Sequence, residues 1–410
     1  MLIEKRKLIL FSVFLVPFIH SIVLTTLWSS SAASLAQTVI KGGFSAWLIV
    51  ISLACIDYKG MHAFLTAKAL LLYSILSMVS VVWTVDLDRT LMAVLGFASL
   101  LMLAIASLRV SSVDFARVLL VSCDAIVLLS VLAYFSGMAG ATVYLQGVDR
   151  LSGITFGPHA LGRVVVLALL IRFYLYHCGI RAGLFKTVFF VLVYGFVLYM
   201  TDSRQAYIVI VPALFSIWVL SGNATSRMKA ALFCAVLLVS VLPLLESAGQ
   251  FGGVVESLNR SAADDITTLT GRTYIWARSV ELVGESPYIG YGLHGGGLVL
   301  TQNYATDTSG WTTESAHNVF LQTALDLGLV GVFAVVLVFL GSIRAALTRR
   351  NSISLALIVF VLILGFVERS IAGAPGFMNF LFFYGVLIAY QDSEVKEYDS
   401  FGQGKVVSSC

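Results

Sequence analysis

Six arginines carry the first chemical signal in this sequence. Arg150, Arg204, Arg260, Arg272, Arg278 and Arg369 stand in segments that, on the topology argued below, lie on the non-cytoplasmic side or at its membrane edge. A guanidinium fork binds phosphate through paired, charge-assisted hydrogen bonds, each worth about 1.5–3 kcal/mol when well made. Arg204, in Thr201-Asp202-Ser203-Arg204, occupies a turn too short to let it drift from the bilayer. Several such groups beside a membrane point to an anionic lipid head group as ligand. Taken singly, each arginine is more readily structural, snorkelling to phospholipid or pairing with Asp202, Asp264, Asp265 or Glu368. The ligand reading rests on the set.

His317 is the second signal. It lies in Glu314-Ser315-Ala316-His317-Asn318, where a long polar stretch gives way to an apolar one. Free imidazole titrates at about 6.5, so a histidine there can take a proton from a hydroxyl nucleophile. By itself it reads more readily as a cap or a satisfied polar residue. His159, beside Pro158, is a weaker second candidate, His294 is a loop residue, and His20, His62 and His177 fall at span edges or in the cytoplasm. Asp86 and Asp88 have a spacing that can hold a divalent metal on a nucleotide sugar. The preferred reading has Asp88 capping the next helix, since nucleotide sugars are cytoplasmic and this turn is not. Asp124 sits within an apolar span, a functional suspect by default or a bond to a neighbouring helix. Tyr288, Tyr291, Tyr304 and Trp311 offer faces for sugar rings, or a small core.

The elements that must position these residues are membrane helices. Of 410 residues, 59% are hydrophobic and 12% charged, about half the charge of a soluble domain, and the mean hydropathy is +0.94. The apolar residues come in blocks without two-residue alternation, which favours helices over a barrel. At roughly 20 residues per crossing, the sequence predicts an all-α polytopic protein with about twelve spans. They fall near 8–28, 42–56, 65–83, 90–108, 116–137, 160–176, 184–201, 205–220, 229–246, 318–343, 352–367 and 376–390. The run 318–346 is long enough to begin outside the bilayer. Lys5-Arg6-Lys7 before an apolar stretch raises a signal peptide, but Leu8–Trp28 exceeds the usual apolar region of about 7–15 residues, so an uncleaved first span is expected.

Orientation follows Lys and Arg in short loops. Cytoplasmic termini place Lys59, Arg109, Arg117, Arg181, Lys186, Arg227, Lys229, Arg344, Arg349, Arg350, Lys396 and Lys405 inside. The net charge of +4 reflects this bias and implies no nucleic acid. Cys55, Cys123, Cys178, Cys234 and Cys410 avoid the external loops, so no disulfide framework is implied. The chain reads as one integral membrane domain over 1–410, with a tail at 391–410 and two longer external segments, 138–159 and 247–317. In the second, Asp264 or Thr270 is placed to cap a helix that runs to about Val283 and ends at Gly284 and Pro287. Arg272, Trp276 and Ser279 or Val280 would share one of its faces.

Several short motifs follow in order over roughly residues 80–335: Ser80-x-x-Trp83-x-x-Asp86, Arg150-Leu151-x-Gly153-x-x-x-x-Pro158, Ser203-Arg204, Gly271-Arg272-x-x-x-Trp276, Pro287-x-x-Gly290-x-Gly292, and His317-Asn318-x-x-Leu321 with Gly328 and Gly331 beyond. This order resembles the O-antigen ligase and polymerase superfamily of bacterial envelope glycosyltransferases. It departs at Gln205, where the family often has a small residue.

The resemblance implies inverting sugar transfer at the periplasmic face of the inner membrane, without metal or other cofactor. The donor is a saccharide on undecaprenyl pyrophosphate. The acceptor is the lipid A core in a ligase, or another lipid-linked saccharide in a polymerase. By matching position, Arg204 and Arg272 bind the donor pyrophosphate and His317 activates the acceptor hydroxyl, with Arg150, Trp276, Asn318 and Arg278 as substrate-binding residues. The residue chemistry points the same way. A pyrophosphate leaving group needs fixed cations rather than a proton, which leaves one histidine for one task. A flippase, the main alternative from another class, would be expected to carry more midplane polar residues and broken helices. A non-catalytic scaffold would need neither His317 nor Arg204. The single large loop before His317 favours a ligase modestly over a polymerase.

Overall fold

The computed structural model describes residues 2–22, 31–145, 148–221, 272–305 and 312–391. In chain order the helices are α1 Leu2–Ser21, α2 Ser31–Cys55, α3 Tyr58–Thr66, α4 Lys68–Val79, α5 Leu87–Ser107, α6 Ser112–Phe135, α7 Pro158–His177, α8 Leu184–Thr201, α9 Arg204–Ser221, α10 Arg272–Glu285, α11 Gly295–Asn303, α12 Val319–Thr348, α13 Ser352–Val367 and α14 Phe377–Tyr390. Among the described residues the expected all-helical chain also contains a short sheet. Within 138–159 a hairpin pairs β1 (Thr142–Leu145) with β2 (Val148–Leu151), Val143 opposite Arg150.

Among the described residues, six helices are long and apolar enough to cross a membrane: Leu35–Cys55, Leu87–Ser107, Ser112–Phe135, Pro158–His177, Leu184–Thr201 and Val319–Thr348. The pair Tyr58–Thr66 and Lys68–Val82, bent by 89°, makes a seventh if it is one span. The expected count of about twelve is thus not confirmed among the described residues. Gln205–Leu220, Ser352–Val367 and Phe377–Tyr390 are apolar but shorter, and at about 1.5 Å per residue such helices fall short of a hydrocarbon core about 30 Å thick. The stretch 229–246 lies outside the described residues. The 42–56 span is part of a longer helix that begins at Ser31.

α13 and α14 are buried on all sides rather than along one stripe, as expected of helices that are apolar all round. Phe360, Phe380, Phe382, Phe383 and Tyr384 are fully buried, and Tyr384 stacks on Phe115 of α6 at 3.6 Å. The two ends of the bundle differ chemically. At one, Arg109 meets Asp57 at 2.9 Å, Arg6 pairs with Asp114, and Lys5 reaches the Ala54 carbonyl. At the other, Trp83 Nε1 donates to the Ile289 carbonyl at 2.9 Å and Leu293 N–H to Ser80 Oγ at 3.0 Å. The Ser80-x-x-Trp83-x-x-Asp86 motif is therefore a dock for the loop after α10. Asp86, not Asp88, caps α5, accepting from Arg89 N–H at 3.0 Å.

α12 is broken at Gly328 (φ +66°, ψ −169°). A break frees backbone groups that must find partners, and loop 287–292 supplies them. Tyr291 and Gly292 N–H donate to the Leu325 and Asp326 carbonyls at 2.8 and 2.9 Å, and Leu329 N–H donates to the Pro287 carbonyl at 2.8 Å. The expectation that this run begins outside the bilayer now has a physical joint. A Cβ at Gly328 would lie 2.2 Å from Tyr288 backbone atoms in a left-handed conformation. Gly328→Ala is expected to destabilise the protein by on the order of 3 kcal/mol, seen as a lower unfolding midpoint in detergent. An unchanged midpoint would mean that the loop does not seat at the break.

Candidate functional site

α13 stops at Val367, and Glu368, its C-cap, turns its carboxylate into a convergence of three chain segments. Oε1 accepts from Gln205 Nε2 at 2.8 Å and faces Arg272 Nη2 at 3.4 Å. Oε2 lies 3.4 Å from His317 Nδ1, long for a hydrogen bond but close enough for an ion pair when the ring is protonated. The side chains of Glu368 and Arg272 are only 14% and 17% exposed. Burial alone would raise the Glu368 carboxyl. The neighbouring His317 and the charges of Arg163 and Arg272 outweigh it and hold the group well below the usual carboxylate range.

His317 is held from both sides through Ala316. The Ala316 N–H donates to Gln322 Oε1 at 3.0 Å, and its carbonyl accepts from Trp276 Nε1 at 2.8 Å. Gln322 leans in turn on buried Asp326 at 3.3 Å, whose carboxylate also accepts from Gly296 N–H at 3.1 Å and Gly373 N–H at 3.0 Å. Asn318 caps α12, its Oδ1 accepting from Phe320 and Leu321 N–H, and its Nδ2 reaches the Phe366 carbonyl at 3.3 Å. Trp276 and Asn318, taken from the sequence as substrate contacts, thus spend these polar atoms on the backbone that carries His317, itself at φ +47°.

Arg272 opens α10 and Arg204 opens α9, directly between Ser203 and Gln205. Arg150, on β2, faces Asp202 Oδ2 at 3.7 Å and is 5% exposed. Two of the pairings that the sequence offered as the structural alternative, Arg272 with Glu368 and Arg150 with Asp202, therefore exist. Arg278 points elsewhere, bonding the Asn303 carbonyl at 3.0 Å and Glu281 at 2.6 Å. Arg369 Nη1 reaches the Glu314 carbonyl at 3.4 Å. Arg260, Asp264, Asp265 and Trp311 lie outside the described residues. Tyr291 and Tyr304 pack beside a small core of Ile275, Leu282, Leu300, Ala316 and Leu325, while Tyr288 is exposed. Burial, with Arg369 beside it, pushes the His294 ring down to about 4. Asp86 Oδ2 lies 3.4 Å from Arg89, and among the described residues no three His, Cys, Asp or Glu side chains gather as a metal site.

Sequence reasoning missed Gln205 and Glu368 as site members, and also the start of α7. His159 Nδ1 meets Ser203 Oγ at 3.1 Å. Arg163, one turn on, acts electrostatically on Glu368. The signal for Arg163 was available, because an arginine inside the predicted span 160–176 is as conspicuous as Asp124. Asp124 itself is structural here. It pairs with Arg172 at 2.6 Å and accepts from Tyr194, and the Arg172 guanidinium lies 4.0 Å from the centre of the Phe190 ring.

The comparisons bear on this geometry directly. Residues 188–336 match the family model Wzy_C, O-antigen ligase, a segment that contains Arg204, Gln205, Arg272, Trp276, His317, Asn318 and the break at Gly328. No curated protein matches the chain. Over this segment the chain is similar to the O-antigen ligase family, which supports the superfamily that the motifs resemble.

Proposed function

We propose that the protein is an inverting, metal-independent glycosyltransferase of the bacterial inner membrane, with both termini cytoplasmic and its site at the periplasmic face. It moves a saccharide from undecaprenyl pyrophosphate to a hydroxyl of the lipid A core oligosaccharide, the ligase step of lipopolysaccharide biosynthesis. The observation that supports this best is the meeting of Gln205, Arg272 and His317 on Glu368, beside the turn where Arg204 opens α9.

In this reading the acceptor hydroxyl attacks the anomeric carbon opposite the pyrophosphate. The new C–O bond forms as the bond to the pyrophosphate oxygen breaks with its electron pair, inverting the centre. The hydroxyl proton passes to His317, and the lipid pyrophosphate leaves unprotonated. Arg204 and Arg272 stabilise the charge that gathers on it, with Arg150 bordering the donor. A proton on His317 Nδ1, facing Glu368, leaves the Nε2 lone pair as the base, and Glu368 then stabilises the imidazolium. Trp276 and Asn318 act through the backbone they hold. A polymerase, with a second lipid-linked repeat unit as acceptor, is favoured by one feature: segment 138–159 is a formed hairpin carrying Arg150.

Purified protein given the undecaprenyl-pyrophosphate-linked saccharide should form product only when lipid A core is supplied, and EDTA should leave the rate unchanged. Ladders of lengthening saccharide without the core would replace ligase by polymerase. Arg204→Ala and Arg272→Ala should each lower transfer about 100-fold or more while inserting normally in the membrane. His317→Ala should lower turnover by about 100- to 10,000-fold with donor affinity kept, and loss of affinity alone would contradict its role as base. The depressed Glu368 carboxyl adds a pH signature. Its stabilisation is present above the unfolded carboxyl value of about 4.3 and is lost as pH falls through the lower folded value. Wild type should therefore unfold at a higher temperature than Glu368→Gln at pH 7, with the gap closing below about pH 4. A gap independent of pH would show that the carboxylate is not the stabilised form.

A further inference from the structure

We infer that Arg163 is a further ligand for the donor's pyrophosphate, a cation that makes no direct ion pair with a protein carboxylate, so that a lipid phosphate can engage it. The inference rests on the donor reading above and names a residue that reading does not use. Arg163 Nε is buried and has no hydrogen-bond partner, and among the described residues its guanidinium makes no ion pair. The nearby carboxylates are already engaged, Glu368 by Gln205, Arg272 and His317 and Asp202 by Arg150. The charge of Arg163 acts on Glu368 without a direct contact, so the cation is only partly compensated, and a further anion that meets it is favoured.

Its position selects the ligand. Arg163 lies one helical turn from His159, whose ring bonds Ser203 at the start of α9. At Gly162 between them, a Cβ would stand only 3.0 Å from Ser203 Cβ, so α7 and α9 touch here. The flanking Leu161, Val164, Val165 and Val166 are all buried, so Arg163 does not belong to a lipid-facing stripe from which it would simply snorkel. Arginines on α7 and α10, with the start of α9 between Ser203 and Gln205, face one region from three elements. A two-phosphate head group suits that arrangement better than a single phosphate.

The test compares the full-length wild type with Arg163→Gln and Arg163→Lys, and with Arg181→Gln as a control remote from the site. Each is titrated with undecaprenyl pyrophosphate, undecaprenyl phosphate or phosphatidylglycerol, reading the unfolding temperature. Arg163→Gln without lipid should unfold close to the wild-type temperature, because it removes no direct ion pair or hydrogen bond. Its affinity for undecaprenyl pyrophosphate should fall about tenfold or more. The donor KM should rise more than kcat falls, and Arg163→Lys should recover only part, having charge without the fork. A loss of lipid-free stability with unchanged affinity would make Arg163 structural and overturn the inference. An equal Arg163-dependent shift with phosphatidylglycerol would overturn it in favour of general phospholipid anchoring. If the wild type binds no undecaprenyl pyrophosphate at all, the donor reading itself fails. If the wild type and Arg163→Gln bind it alike, only the present inference does.

Discussion

A carboxylate placed among arginines and a histidine at the end of an apolar bundle is tolerable only while all of them stay together. Remove Glu368, and Arg272 is left with its charge in a poorly solvated place. Remove the cations, and a buried carboxylate remains that would rather be protonated. That mutual dependence makes Glu368 the constraint on which the rest of the site turns. It ties the start of α9 through Gln205, the start of α10 through Arg272 and the approach to α12 through His317, all to the end of α13. Three of the four elements present their N-terminal ends, where helix dipoles favour anions. One internal carboxylate therefore sits where further negative charge is also favoured.

Holding His317 at this point takes a second structure, the break in α12. A continuous helix from Val319 to Thr348 would have no place for loop 287–292. With the break, that loop bonds to both sides of Gly328 and brings α11 and its Gly296 amide against Asp326. Asp326 supports Gln322, Gln322 supports Ala316, and Ala316 precedes His317. The chain of contacts from a helix break to His317 is made of buried polar groups in which each donor has a named acceptor. Such networks are rigid when complete and costly when any member is lost.

These two structures show what could be read from the sequence and what could not. The helices, Arg272 and Trp276 on one face of α10, the end of α10 near Gly284, and a long helical run from about 318 to 346 were legible, because periodicity, caps and breakers act locally. The choice of partners was not. Nothing in the neighbourhood of Glu368 announces that it will meet residues 163 positions before it, at Gln205, and 51 before it, at His317. Gln205 looked like a departure from the family pattern, yet it supplies the shortest contact to Glu368. The count of about twelve spans is not confirmed, for a different reason. Hydropathy measures apolarity, and α13 and α14 are apolar because protein surrounds them, which a composition window cannot separate from lipid.

The cations divide into two kinds under the same physics. Arg172 is satisfied three ways, by Asp124, by Tyr194 and by the face of Phe190, and it cross-links α6, α7 and α8 with nothing left to offer. Arg163, nine residues earlier on the same helix, has none of these. A fold under pressure only for stability would have given Arg163 a carboxylate or replaced it with leucine, as buried ions commonly can be replaced without loss. Local rules broken with only partial internal compensation are where function is expected to reside. On α7 that break falls beside the start of α9, at the edge of the site built around Glu368.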